Sequence, residues 1–543
     1  MSVTNLFKAK QHSNILYISA ITLTATLGGL LFGYDTAVIS GAVGSLKSFF
    51  ITPLLNDPDA AVKVITQFKV IGVVSFAFVL TLVLSFLKRL FISGRKLVIY
   101  SGVSAVFISL IVYYLFLRHG NELDESLINV IHGFNISSAL IGCIIGGSLA
   151  GYISQNIGRK NGLAIAAILF LLSAIGSAMP DKMNIFGGEV LGMFMVYRVL
   201  GGIGVGLASM ISPMYIAEIA PAHIRGRLVS LNQFAIIFGM LIVYFVNYFI
   251  AKGQAQEWID SVGWRWMFAS EVIPATLFIV LLLFVPETPR YLILANKEKE
   301  ASVVLSKIVG KIRKTAVLDE IKESLKTRNA PWLSYGGLVI VIGVFLSVFQ
   351  QFVGINVVLY YAPEIFRTMG DGTDTALMQT IIVGAINLSF TVVAIVTVDK
   401  FGRKPLQIIG ALIMAFSMFG LGMVFYLQLV GIGALVFMLI YVAGFAMSWG
   451  PVTWVLLSEI FPNSIKAAMS IAVAAQWLAN LLISVTFPMM NDSSWLTERF
   501  HHGFAYWIYG LMGLFAAFFM WKWVPETKGK TLESIELTWK AKK

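Results

Sequence analysis

The chain has 543 residues, of which 58% are hydrophobic and only 13% charged, and its net charge is +12. So few charges cannot coat a water-soluble surface, because ordinary soluble domains carry about 25% charged residues. The basic residues sit in short tracts between apolar runs, which argues against a nucleic-acid partner and reads as a membrane topology signal.

The first segment, MSVTNLFKAKQHSN, is polar and basic. The apolar run from Ile15 leads into GGLLFGYDTAVISG, longer than a secretory signal core, and is expected to be a first membrane helix with the N-terminus cytoplasmic. A spanning helix needs about 20 mostly apolar residues. About fourteen runs meet that requirement, the first at Ile15 and the last at Phe504. The polar stretch 286–334 carries apolar residues at helical spacing among charges, so it predicts short amphipathic helices outside the bilayer. It divides the chain into a first membrane half, 1–285, and a second, 335–525, with a basic tail over 526–543. Linker and tail are both expected to be cytoplasmic. The lone Cys143 excludes an internal disulfide and any multi-cysteine metal site.

The two halves share a repeat. Gly158–Lys160 (GRK) recurs at Gly402–Lys404, Glu218–Pro221 (EIAP) at Glu459–Pro462 (EIFP), and Val285–Thr288 (VPET) at Val524–Thr527. The order is kept at an offset of about 240 residues, which marks a duplicated unit. Parallel halves related by an axis along the membrane normal are one way such duplications assemble.

Asp35 stands inside an apolar run, where an ionised carboxylate costs several kcal/mol unless paired or solvated; an intramembrane acid is functional by default. The bland alternative is a static buried ion pair. Arg198 is its natural partner. Amides occur inside otherwise apolar runs: Gln233, Gln350, Gln351, Asn356, Asn387, Gln476 and Asn480. Each amide donates and accepts hydrogen bonds without adding charge, which suits a neutral polar solute. Taken singly, each could simply bond a neighbouring helix. Gln476 and Asn480 share a helix face. Gln351 and Asn356 would not, unless Gly354 breaks their helix. Near the cytoplasmic helix ends, Glu218 with Arg225, Glu459 with Lys466 and Glu287 with Arg290 are expected to form gate pairs, with Arg403 in the same region. Surface pairs of this kind can be worth as little as about 0–1 kcal/mol. GGIGVG at Gly201–Gly206 imitates a nucleotide-binding glycine motif, but no strand precedes it, and close helix packing explains it better. No Walker lysine, metal cluster or catalytic triad stands out, so ATP-driven transport and enzyme chemistry are not expected.

These segments together resemble the sugar porters of the major facilitator superfamily. The resemblance rests on ATLGGLLFGYDTAVISGAV, YRVLGGIGVGLASMISPMYIAEIAPAHIRGRLVSLNQFAIIFG, FQQFVGINVVLYYAPEIF, AMSWGPVTWVLLSEIFPN, AVAAQWLAN and VPETKGKTLE. It covers nearly all the chain outside about 57–128. It implies an all-α polytopic membrane protein of major facilitator fold, with two six-helix halves. The 57–128 segment departs from the family pattern as an extra two-helix hairpin joined by LKRLFISGRK. By resemblance, Asp35 and Arg198 are the proton-coupling pair. Uncoupled relatives carry an amide at the Asp35 position, which favours symport here. Gln233, Gln350, Gln351, Asn356, Asn387 and Gln476 would contact sugar, and Trp449 and Trp477 would cover its apolar face. Phe32, Tyr360 and Asn480 are further lining residues. Met240 stands where a second sugar-binding glutamine is expected, which leaves the sugar's identity open. Gln155 and Asn156 replace an acid–arginine pair, and Lys466 stands where Arg-Gly is usual. The function implied is proton-coupled monosaccharide symport by alternating access, D-xylose first, with glucose, galactose or arabinose as alternatives. A sugar receptor without transport is the alternative of another class. The implied setting is a monomer in the bacterial inner membrane, with no cofactor beyond the proton gradient.

Overall fold

A computed structural model describes residues 15–89, 106, 124–185, 189–221, 224–325, 333–368, 372–429, 431–462, 465, 469–529, 535 and 539. Among the described residues the regular structure is all helical. In hydrocarbon, a helix satisfies its own backbone donors and acceptors, whereas an open strand cannot.

The membrane helices of the first half are α1 (Ile15–Gly41), α3 (Glu125–Asn156), α4 (Arg159–Ala178), α5 (Val190–Ile219), α6 (Arg225–Ala251) and α7 (Gln256–Phe284). The extra helix α2 (Pro58–Arg89) lies between α1 and α3. The linker forms α8 (Glu298–Ile308) and α9 (Lys314–Leu325). The second half contains α10 (Leu338–Thr368), α11 (Thr373–Val398), α12 (Arg403–Tyr426), α13 (Ile432–Ile460), α14 (Met469–Asn491) and α15 (Phe504–Lys522). Twelve described helices are therefore long and apolar enough to cross a membrane, six in each half. Of the two added runs, the first is the helix α2, and the second, from Leu97, lies outside the described residues save position 106. Gln67 of α2 abuts Gly192 of α5, and the Phe68 ring meets Phe134 of α3 edge-on at 5.1 Å.

Small residues set the packing of the halves. Gly202 of α5 presses on the carbonyl of Ala139 in α3, and Gly206 on that of Cys143, so GGIGVG serves helix contact. The halves meet through α3 against α14 and α6 against α11. Three membrane helices are interrupted, and in α7 the break falls at Ser270–Glu271. α10 interrupts at Val353–Gly354, where Gly354 adopts φ +92°. α13 interrupts at Ser448–Gly450, before Pro451 restarts the helix.

The repeated motifs are wired alike. Gly158 (φ +108°) and Gly402 (φ +94°) each turn the chain into a helix, α4 and α12. The next residue, Arg159 or Arg403, bonds Glu218 or Glu459, each at 2.9 Å. Thr288 and Thr527 donate their hydroxyls to the same two carboxylates at 2.7 and 2.6 Å. Glu287 and Glu526 accept from the Lys160 and Lys404 amides at the heads of α4 and α12, each at 3.0 Å. A carboxylate there complements the partial positive charge of a helix N-terminus.

This wiring corrects the expected gate pairs. Glu218 pairs with Arg159 and not Arg225, because Arg225 opens α6 and is exposed to solvent. Glu287 turns to the backbone of Lys160 and Thr288 and not to Arg290. Glu459 binds Arg403; Lys466 lies outside the described residues.

Candidate functional site

Two polar clusters lie within the helix bundle. The first is ionic. Asp35 of α1 is 0% exposed, and its Oδ1 accepts from Arg198 Nη1 of α5 at 2.7 Å. Arg198 Nη2 also donates to the Asp35 carbonyl at 3.2 Å, and the guanidinium lies 5.3 Å over the Phe268 ring. Asp35 can approach α5 this closely because Gly201, beside it, has no side chain.

Sequence reasoning missed Glu271 of α7. It is 0% exposed and interacts with both Asp35 and Arg198, lying close enough to share a hydrogen bond with Asp35, while no other donor among the described residues reaches its oxygens. The signal was available, since an acid in the run MFASEVIPATLF obeys the same intramembrane rule that singled out Asp35. One guanidinium cannot balance two carboxylates away from water, so a proton carried on one of the acids restores neutrality. The arrangement can therefore hold and release a proton within the bundle.

The second cluster is neutral. The break at Gly354 brings Gln351 and Asn356 together, and Asn356 Nδ2 donates to Gln351 Oε1. Gln351 Nε2 lies 3.5 Å from Gln350 Oε1, and Gln350 Nε2 donates to the Trp449 carbonyl at 2.8 Å. The broken turns of α10 and α13 are thus tied to each other. Trp449 is fully buried, and its indole donates to the Gln407 carbonyl at 2.9 Å. On α14, Gln476 and Trp477 are buried, yet Gln476 Oε1 and Trp477 Nε1 lack partners. Trp477 packs 5.7 Å from Phe32 of α1 across the two halves. Asn480 accepts from Ser484 at 3.2 Å, and Tyr360 lies within reach of Asn480. Asn387 is buried on α11. Gln233 is half-buried on α6, and Met240, buried, follows two turns later on the same face. No described hydrogen bond engages the Gln233 side chain.

A carboxyl–guanidinium centre beside discontinuous helices lined with amides defines a membrane transporter of small polar solutes. The chain belongs to the sugar transporter family: the family profile described as "Sugar (and other) transporter" matches residues 21–539. It is 54% identical over 540 residues to the D-xylose-proton symporter of Escherichia coli, covering 97% of this chain and 96% of that protein. It is 39% identical to the glucose facilitated diffusion protein of Zymomonas mobilis, covering 97% of this chain and 98% of the relative. Among solved structures it is similar to the inward open conformation of the xylose transporter XylE from E. coli. That likeness has a TM-score of 0.76 and 52% identity, and covers 96% of this chain and all of that one.

Proposed function

We propose that the protein is a proton-coupled monosaccharide symporter working by alternating access, with D-xylose as its substrate. The observation that carries this reading is the fully buried Asp35–Arg198 ion pair, with Asp35 Oδ2 left without a partner. A purely facilitative carrier has no use for an intramembrane charge pair of this kind, which is stable only while both partners stay together. Protonation of Asp35 loosens α1 from α5, and sugar binding between the halves then favours closure around it. Gln350, Gln351, Asn356, Asn387, Gln233 and Gln476 supply hydrogen bonds to the sugar hydroxyls. Trp449 and Trp477 cover the apolar ring face. Trp477 Nε1 and Gln476 Oε1, buried and unpartnered, are the atoms that a hydroxyl most readily satisfies.

By the positive-inside rule the short, basic GRK loops favour the cytoplasm for that end of the bundle, and the basic N-terminal segment, linker and tail support the same side. The membrane is the bacterial inner membrane, crossed by a monomer that needs no cofactor. Glu218, Arg159, Glu459, Arg403, Glu287 and Glu526 brace the cytoplasmic helix ends. Met240 favours a second reading, transport of a related monosaccharide such as glucose or arabinose, because its thioether cannot replace an amide's hydrogen bonds. Uptake of labelled xylose, glucose and arabinose by proteoliposomes, with and without an inward proton gradient, tests both readings. Gradient-driven accumulation of xylose supports the first. Accumulation of another sugar alone supports the second.

A further inference from the structure

The two halves are tied at the end opposite the GRK motifs. Gln256 Oε1 of α7 accepts from the Thr373 hydroxyl of α11 at 2.7 Å, and the Gly253 amide donates to Asp374 at 3.3 Å. Glu125, heading α3, accepts from the amide and hydroxyl of Ser494 at 2.7 and 2.6 Å. Lys47, just past α1, donates to Asp492, just past α14, at 2.9 Å. The other Asp492 oxygen accepts from Asn491 at 2.8 Å, which fixes the carboxylate. Among the described residues, Lys47–Asp492 is the one ion pair that crosses between the membrane halves. The remaining ion pairs lie within one half or within the linker.

A solute entering from this end must part α1 and α3 from α14, so the pair can exist only while this end is closed. We propose that Lys47 and Asp492 are the outer latch of the carrier, positioning residues whose charge pair sets how often the empty protein opens outward. The proposal rests on the alternating-access reading and its orientation. It assigns to two residues outside the polar clusters a control over turnover, not over sugar contact.

Gly133 of α3 lies against the Val485 carbonyl of α14, and Ser137 is one turn deeper on the same face. Ser137→Cys therefore places a thiol behind the latch. Cys143, the sole native cysteine, is fully buried, so the added thiol is the one that reports. The test is the labelling rate of Ser137→Cys by a membrane-impermeant maleimide added outside intact cells. Lys47→Gln and Asp492→Asn should each speed labelling roughly two- to fivefold, the range for a partly exposed pair. The double reversal Lys47→Asp with Asp492→Lys should return the rate to that of the parent. Raised salt should speed labelling of the parent, and not of the single variants, because a half-exposed pair is screened. Xylose should change the labelling rate in every variant, which shows that each is folded. If xylose alters labelling but neither charge removal does, the latch is overturned alone. If xylose, glucose and arabinose all leave the parent's labelling unchanged, alternating access fails and the latch fails with it.

Discussion

Asp35 and Arg198 are each sealed from solvent, and among the described residues Arg198 is the one cation that both Asp35 and Glu271 face. Asp35→Asn removes the charge while keeping the shape. It should abolish accumulation of xylose above the outside concentration while leaving sugar exchange intact, as proteoliposome uptake and counterflow would register. Glu271→Gln should instead shift the pH profile of uptake, since it removes the second acid beside Arg198. Asp35 was legible because a lone acid interrupts an apolar run. Glu271 carried the same signal in MFASEVIPATLF, but only the packing of α7 shows that it shares Arg198 with Asp35. The gate partners were misread for a related reason. Arg225 lies near Glu218 in sequence, yet the return of α4 alongside α5 brings Arg159 to it in space.

The broken helices α10 and α13 gather the amide cluster, and the turn at Gly354 depends on a backbone conformation that few residues adopt. At Gly354, φ is +92°, and a Cβ would lie 2.8 Å from the Tyr509 ring. Gly354→Ala should cost about 1–2 kcal/mol from the positive φ alone, lower the unfolding temperature, and weaken xylose binding measured by calorimetry. The break was foreseeable, because two amides five residues apart meet only if a glycine intervenes. The break in α13 carries a signal as well, since Gly450–Pro451 is a helix-breaking pair inside the apolar run. The acids heading α4 and α12 differ despite their common wiring. Burial pushes the Glu287 carboxyl up from its usual range, against the amides that bond it. Glu526, although burial opposes it, is drawn below that range by the amides of Lys528, Lys404, Arg403 and Thr527. A lowered folded-state value adds stability above the usual glutamate value of about 4.5 that is lost as the pH falls through the folded value. Glu526→Gln should therefore lower the melting temperature at neutral pH and flatten its decline below about pH 4.5. Glu287→Gln should show no such flattening, because its contribution has the opposite sign.

At the scale of the molecule, two copies of one motif set brace the GRK end, and hydrogen bonds between the halves gather at the other. The duplication was plain from three motifs in register, whereas counting apolar runs gave about fourteen and the six-plus-six plan came from the family resemblance. The ties between halves were not, since Lys47, Glu125, Asp492 and Ser494 carry no motif and meet only after the halves pack. Arg403→Ala leaves a part-buried Glu459 without its cation, at a cost of about 1–3 kcal/mol. It should favour the inward-open state, seen as faster labelling of thiols placed on the cytoplasmic side.

The most direct measurement is xylose uptake into proteoliposomes of the purified protein under an imposed inward proton gradient. Coupling through Asp35 predicts that xylose accumulates above its outside concentration, that protons enter with it, and that a proton ionophore collapses the accumulated sugar. Uptake that only equalises xylose across the membrane, with or without the gradient, would contradict it.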